Sequence, residues 1–97
     1  MVSSVNAELN AELSELIADD RLDFSGWLER LPNSFGEREQ ALLKNAWETA
    51  REAYDGIRRP SGELYFSHAL GVATILTGLR LDAQTIAAAL LHDLPQL

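Results

Sequence analysis

Cysteine is absent from this 97-residue sequence, so disulfides, thiolate metal sites and cysteine nucleophiles are excluded. Long apolar runs are also missing, because no stretch approaches the roughly 18 residues that a membrane span requires. The first residues have neither a basic start nor an apolar centre, and we therefore expect no signal peptide. These absences predict a cytoplasmic protein without a membrane partner.

Positive charge is scarce, since 8 Lys and Arg residues stand against 15 Asp and Glu residues and give a net charge of −7. Such a surface repels phosphate backbones, which argues against nucleic acid as a directly bound partner. The acids are concentrated in residues 1–56, which carry 12 of the 15. The chain from Pro60 onward is more apolar and contains both histidines, so any imidazole chemistry belongs to this back part.

The apolar residues recur at helical spacing, and no segment alternates with the period of a strand. The sequence predicts an all-α domain of about five helices, over Ser3 or Ser4 to about Ala18, Phe24 to Leu31, Phe35 to Tyr54, Tyr65 to Leu79, and Ala83 to the pair His92-Asp93. We expect Ser34 and Glu37 to form a capping box at the third helix. Asp82 is expected to cap the fifth, and residues 58–63 to form a loop.

The two histidines are the candidates for metal chemistry, because imidazole and carboxylate bind Mn²⁺, Fe²⁺ and Zn²⁺. His68 lies one turn into the fourth predicted helix, and His92 and Asp93 end the fifth. If these helices form a hairpin about Arg80 and Leu81, His68 comes level with His92. A lone histidine on an apolar helix is, however, more often a hydrogen-bonded packing residue. The spacing leaves both interpretations open.

Two segments carry a family resemblance: Arg59 to His68 reads RPSGELYFSH, and Leu79 to Asp93 reads LRLDAQTIAAALLHD. In this order they resemble the N-terminal HD-type domain of the RelA/SpoT family, the enzymes that make and destroy the alarmone (p)ppGpp. Members carry a basic-Ser-Gly-Glu-Pro-Tyr loop, a histidine, a Leu-Asp-x-x-Thr segment and then Leu-His-Asp. The resemblance runs from about Ala46 to Asp93 and includes the 24-residue step between the two histidines.

The resemblance implies roles for four residues. His68, His92 and Asp93 correspond to three protein ligands of the hydrolase metal, usually Mn²⁺. Arg59 corresponds to a loop arginine that contacts the nucleotide. A fourth ligand, an aspartate much further along the family chain, falls beyond Leu97.

The residues after the His-Asp pair depart from the family pattern. In active hydrolases a Glu-Asp pair handles the attacking water, whereas this sequence has Gln96 and Leu97. Neither an amide nor an aliphatic side chain exchanges a proton near neutral pH, and losing such a group costs about 10²–10⁴-fold in rate. Pro60 also replaces a basic residue. The resemblance therefore implies a site with no catalytic residue, a vestigial metal site and at most weak (p)ppGpp binding.

Three functions follow from this reading. The first is the pseudo-hydrolase HD domain of a RelA-type GTP pyrophosphokinase, the (p)ppGpp synthetase of the stringent response, with a regulatory or structural role. The second is part of an active Mn²⁺-dependent (p)ppGpp 3′-pyrophosphohydrolase, whose missing carboxylates come from later in the chain. The third is a helical interaction domain whose histidines only pack.

The resemblance also implies that residues 1–97 are the N-terminal part of the HD-type domain, with synthetase and regulatory domains outside this chain. A chain that ends inside a helical core is expected to expose apolar surface. We expect that surface at Leu70, Ile75, Leu76, Leu90, Leu91 and Leu94. Exposed apolar helices of this kind predict self-association.

Overall fold

The computed structural model describes residues 22–32, 34–92 and Leu94. These residues form helices and no strand, so the predicted all-α fold is confirmed. None of the helices in this part of the chain is long and apolar enough to cross a membrane. The helix predicted between Ser3 and Ala18 lies outside the described residues. The helices are α1 (Phe24–Arg30), α2 (Glu37–Ala53), α3 (Tyr65–Gly78) and α4 (Ala83–Leu91).

Helix α1 is a short helix with a polar cap at each end. The Asp23 carboxylate accepts a hydrogen bond from the Gly26 N–H at 2.8 Å, which satisfies one of the free donors of the first turn. The Arg30 guanidinium donates to the Gly26 carbonyl at 2.9 Å. Leu31 is already extended, because the proline that follows disfavours helical backbone at that residue. The helix therefore ends one residue earlier than predicted.

The predicted start of α2 is wrong. The N-cap is Gly36 rather than Ser34, and Glu39 rather than Glu37 reaches back to accept from the N-cap N–H, at 3.0 Å. Phe35 is half-buried against the core, and residues 34–36 stay non-helical as they carry it there. Glycine has no side chain to accept in return, so only one half of a capping box is made.

The core is built mainly around the face of α2 that carries Leu43, Ala46, Trp47 and Ala50. Helix α4 packs against both α2 and α3. Trp27 of α1 lies 5.4 Å from Trp47 between ring centroids, and Phe66 of α3 lies 5.0 Å from Trp47 at a right angle. Both tryptophans are buried. The largest fully enclosed side chains are Trp27, Tyr54, Leu43, Leu70, Ile86, Leu90, Thr74 and Thr77.

Helices α3 and α4 form the predicted hairpin. The chain turns at Arg80, whose φ of 58° lies in the left-handed region. Asp82 then caps α4 as predicted, with its carboxylate accepting from the Thr85 N–H at 2.8 Å. Hydrogen bonds from the side chain and the backbone of Thr85 hold the pKa of Asp82 below its ordinary value of 3.8. Because only residues 79–82 join the two helices, they run back alongside each other.

The predicted exposure of Leu70 and Leu90 is wrong. Leu70 and Leu90 are fully buried, because they face the other helices rather than solvent. Leu76, Leu91 and Leu94 are partly buried and pack against the core, which leaves Ile75 as the one exposed member of the predicted set. The large exposed apolar side chains of the described residues are Leu42, Ile75, Leu79 and Leu81. Self-association stays a prediction.

Candidate functional site

The segment between α2 and α3 forms a closed turn. The Arg59 N–H donates to the Glu63 carbonyl at 2.8 Å, and the Gly62 N–H donates to the Arg59 carbonyl at 2.8 Å. Gly62 has a φ of +92°, which glycine adopts readily because it has no Cβ. The loop predicted over residues 58–63 is confirmed. Its closure brings the side chains of Arg59 and Glu63 together beside the first turn of α3.

Three side chains meet at this turn, and we call Arg59, Glu63 and His68 the loop cluster. Nη1 of Arg59 lies 3.1 Å from Nδ1 of His68 and 3.3 Å from Oε2 of Glu63. The same Glu63 oxygen lies 4.0 Å from Nδ1 of His68. The side chains are 37%, 42% and 27% exposed for Arg59, Glu63 and His68, so an anion in solution can reach them. The neighbouring Arg58 donates instead to the Gly62 carbonyl at 2.7 Å and braces the turn.

The contact with Arg59 determines which nitrogen of His68 carries the proton. A guanidinium has only donors, so Nδ1 of His68 has to accept, and a neutral ring then carries its proton on Nε2. The ring of His68 is nearly perpendicular to that of Tyr65, at 6.3 Å between centroids. In this tautomer Nε2 has no lone pair to offer to a metal. The arrangement around His68 therefore does not fit a bound metal until the Arg59 hydrogen bond is broken.

His92 has the opposite arrangement. Its Nδ1 lies 2.8 Å from the Ala89 carbonyl oxygen, which can only accept, so Nδ1 carries a proton and a neutral ring then has its lone pair on Nε2. Histidines that bind metals are commonly held in this way, through Nδ1–H to a carbonyl or carboxylate. His92 follows the last residue of α4 and is exposed. Its ring fits a metal ligand, in contrast to the ring of His68.

Both histidines lie at the end of the α3–α4 hairpin that is far from its connection. His68 is about 15 Å along α3 from Gly78, and His92 is about 14 Å along α4 from Ala83, at 1.5 Å per residue. Asp93, Gln96 and Leu97 lie outside the described residues. Within the described ranges, no group of three His, Asp or Glu side chains could hold a metal ion. The three-ligand metal site stays a prediction.

Glu63 was not among the candidate residues of the sequence analysis. Its position in the chain could have indicated the contact. Glu63 follows the turn glycine directly, four residues after Arg59 and five before His68. A turn of that length brings an arginine, a carboxylate and an imidazole together when the next helix starts immediately. The composition of the segment alone does not show which pairs make contact.

An open cleft of about 410 Å³ lies elsewhere, between the start of α1 and the middle of α2. It contains none of the candidate site residues, so we attach no chemistry to it. The side chains that line it belong to Leu22, Asp23, Phe24, Ser25, Lys44, Trp47, Glu48 and Arg51.

Comparison with known proteins identifies the class to which this helical arrangement belongs. The family model described as "HD domain" matches residues 46–97, more than half of the chain, and the chain belongs to the HD domain family. The matched region contains the loop cluster and His92. No solved structure shows significant similarity to the chain.

Curated relatives then narrow this class. The chain is 46% identical to the GTP pyrophosphokinase rsh of Brucella ovis over 66 residues, which cover 68% of this chain and 9% of that protein. It is 49% identical to the bifunctional (p)ppGpp synthase/hydrolase SpoT of Escherichia coli over 51 residues, or 53% of this chain and 7% of SpoT. The guanosine-3′,5′-bis(diphosphate) 3′-pyrophosphohydrolase of Shigella flexneri matches equally well. The resemblance to the RelA/SpoT family is confirmed, although the chain spans less than a tenth of these relatives.

Proposed function

We propose that this chain is an HD-type pseudo-hydrolase part of a RelA-type GTP pyrophosphokinase, the (p)ppGpp synthetase of the stringent response. In this role it does not hydrolyse (p)ppGpp. It supports or restrains a synthetase active site and is regulatory or structural. The helical core described above is what such a module needs, because a buried core keeps its surface in one shape even without catalysis.

The observation that carries the proposal is the pair of residues at positions 96 and 97. Gln96 and Leu97 stand where the family's active hydrolases have a Glu-Asp pair. Removal of a pyrophosphate group requires proton transfer to or from the attacking water and the leaving group. A carboxylate can carry out that transfer, while an amide and a leucine cannot. Each such loss reduces the rate by about 10²–10⁴-fold.

The candidate site residues keep roles in binding under this proposal. His68, His92 and Asp93 are the residues that would hold a divalent ion, which when bound supplies a Lewis acid next to the phosphates. We expect that binding to be weak, because His68 is held by Arg59 in the tautomer that offers no lone pair on Nε2. Arg59 is the residue expected to contact a phosphate of (p)ppGpp, since its guanidinium is charged and over a third exposed.

The alternative is an active Mn²⁺-dependent (p)ppGpp 3′-pyrophosphohydrolase. One observation favours it: SpoT is named as a synthase and hydrolase, and the Shigella flexneri protein as a 3′-pyrophosphohydrolase. Under this alternative the carboxylates for proton transfer come from another part of the protein. The two functions differ in one measurable property, the turnover of (p)ppGpp.

A chimera of Escherichia coli SpoT separates them. The SpoT segment corresponding to residues 46–97 is replaced by this chain's segment, and release of pyrophosphate from ppGpp is measured with Mn²⁺. We expect a loss of hydrolysis of at least about 10²-fold. The same chimera with Gln96→Glu and Leu97→Asp should recover most of the lost rate, because the proton-transfer groups are restored.

The synthase activity of the same chimera is the control for folding. If synthesis of (p)ppGpp is retained while hydrolysis is lost, the loss belongs to the exchanged segment. Hydrolysis at the rate of unmodified SpoT would contradict the pseudo-hydrolase proposal and establish that this segment supports catalysis.

A further inference from the structure

Nδ1 of His68 has two potential partners of opposite chemistry in the loop cluster. Arg59 is in hydrogen-bond contact at 3.1 Å and can only donate. The Glu63 carboxylate lies 4.0 Å away and, when ionised, can only accept. A single nitrogen cannot accept from the first and donate to the second at the same time. The two side chains therefore favour different tautomers of the same ring.

We infer that Arg59 and Glu63 compete for Nδ1 of His68, and that a phosphate anion which binds Arg59 allows Glu63 to take its place. The ring then carries its proton on Nδ1 and offers the lone pair of Nε2. Glu63 is in this sense a positioning residue, because it acts on a ligand through the ring of His68. The inference deepens the proposed function and rests on it for the identity of the anion.

The exchange requires only a small movement of the Glu63 side chain. Oε2 of Glu63 forms an ion pair with Nη1 of Arg59 at 3.3 Å. When Arg59 binds an anion instead, this ion pair is broken and the oxygen can move. It then needs to approach Nδ1 by a little over 1 Å to reach ordinary hydrogen-bond distance. Glu63 lies at the end of the loop and is 42% exposed, so its side chain has room for that rotation.

The resulting state resembles the one already present at His92. There Nδ1 donates to a carbonyl oxygen and the lone pair is on Nε2. After the exchange at His68, Nδ1 would donate to a carboxylate, which is the arrangement that orients metal-binding histidines. Both rings would then carry a proton on Nδ1. The anion and a metal would be coupled through the loop cluster without touching each other.

The tautomer of His68 can be read directly from the ring nitrogens of the ¹⁵N-labelled protein by NMR. The protein has only two histidines, and a His92→Asn variant assigns the remaining ring. At a pH where imidazole is neutral, we expect His68 to carry its proton on Nε2. Saturation with inorganic pyrophosphate should shift the ratio toward the Nδ1–H form by roughly tenfold, the size expected when a charge-assisted hydrogen bond is exchanged.

Three variants test the partners separately. Arg59→Met removes the donor, and the Nδ1–H form should then predominate without pyrophosphate. Arg58→Met removes the neighbouring guanidinium, which bonds the Gly62 carbonyl, and should leave the ratio unchanged. Glu63→Ala should abolish the response of the ring to pyrophosphate, since no acceptor takes the place of Arg59.

The inference is overturned if wild-type His68 already carries its proton on Nδ1, or if pyrophosphate fails to bind or leaves the ratio unchanged. An unchanged ratio in a folded Arg59→Met variant would also overturn it. The addition of pyrophosphate to the wild-type protein needs no substitution, so this measurement still tests the inference if a variant does not fold. The readout is independent of turnover: a chimera that hydrolyses ppGpp refutes the pseudo-hydrolase proposal, while the tautomer measurement judges the loop cluster alone.

Discussion

Replacing Thr74 by valine should destabilise the protein through a single buried hydrogen bond. The indole Nε1–H of Trp27 donates to Oγ1 of Thr74 at 3.0 Å, and Trp27 is fully buried. Valine has nearly the same shape but no acceptor, so the indole N–H is left in the core without a partner. An unsatisfied buried donor costs about 1–3 kcal/mol. For a chain of this size that corresponds to a fall in Tm of about 4–24 °C.

The matched control is Thr77→Val, one helical turn further along α3. Thr77 is also fully buried, and its hydroxyl donates to the Thr74 carbonyl at 2.7 Å. That carbonyl lies inside the helix and keeps its backbone partner, so no buried polar atom is stranded. The gain from burying a methyl group is the same in both variants and cancels in the comparison.

The two variants are compared by urea denaturation followed by far-UV circular dichroism. We expect Thr74→Val to be less stable than Thr77→Val by at least about 1 kcal/mol. In a Trp27→Phe background, which lacks the indole donor, this difference should disappear. Equal stability of the two valine variants in the wild-type background would refute the reasoning.

Three further predictions concern the caps and turns. Because the pKa of Asp82 is lowered in the folded protein, its ionised carboxylate stabilises the fold above pH 3.8, and this stabilisation is lost as the pH falls below that value. Between about pH 5 and pH 2, Tm should therefore fall less in Asp82→Asn than in the wild type. Gly62→Ala should cost about 1 kcal/mol or more in urea denaturation because its φ is +92°, whereas Gly71→Ala, with open space around the added methyl group inside α3, should gain about 0.5–1 kcal/mol. Arg80→Gly should raise the unfolding free energy by about 0.5–1 kcal/mol, because φ is 58° at that residue, and a decrease would show that its side chain stabilises the turn.

The parts of the fold that could be predicted are those determined by neighbouring residues. The first residues of α3 and α4 and the cap at Asp82 follow from apolar periodicity and from one carboxylate ahead of a helix. Both helices end earlier than predicted, α3 at Gly78 rather than Leu79 and α4 at Leu91 rather than at His92-Asp93. The start of α2 could not be predicted in this way. Ser34 is a good cap by type, but the burial of Phe35 keeps residues 34–36 out of the helix.

The exposure of individual leucines was predicted less well than the helices that carry them. Helix α3 has apolar residues on most of its surface, so its sequence does not show which side faces solvent. Packing of α4 against both α2 and α3 encloses Leu70 and Leu90 and leaves Ile75 outside. This is a tertiary effect, because it depends on how many neighbours a helix has and not on its own pattern.

In the candidate site, too, the residues could be predicted from the sequence but their tertiary contacts could not. The sequence identifies the loop, both histidines and Arg59, and the family comparison agrees with the region in which they lie. It does not show that Arg59 contacts His68, or that the two rings are held in opposite tautomers. Those properties depend on which atom lies about 3 Å from Nδ1, and a loop of this length can close in more than one way.

Measuring the tautomer of His68 distinguishes metal binding from proton transfer, whereas a measurement of activity alone would combine the two effects. Under the proposed function, Gln96 and Leu97 affect proton transfer, whereas Arg59 and Glu63 affect whether His68 can be a metal ligand. If a phosphate anion improves metal binding by changing the tautomer of His68, then the metal must improve binding of that anion by the same factor, because coupling between two ligands is reciprocal. Under the proposed function, a domain without proton-transfer groups would still respond to (p)ppGpp and a metal together, and such a response could serve regulation without any catalysis.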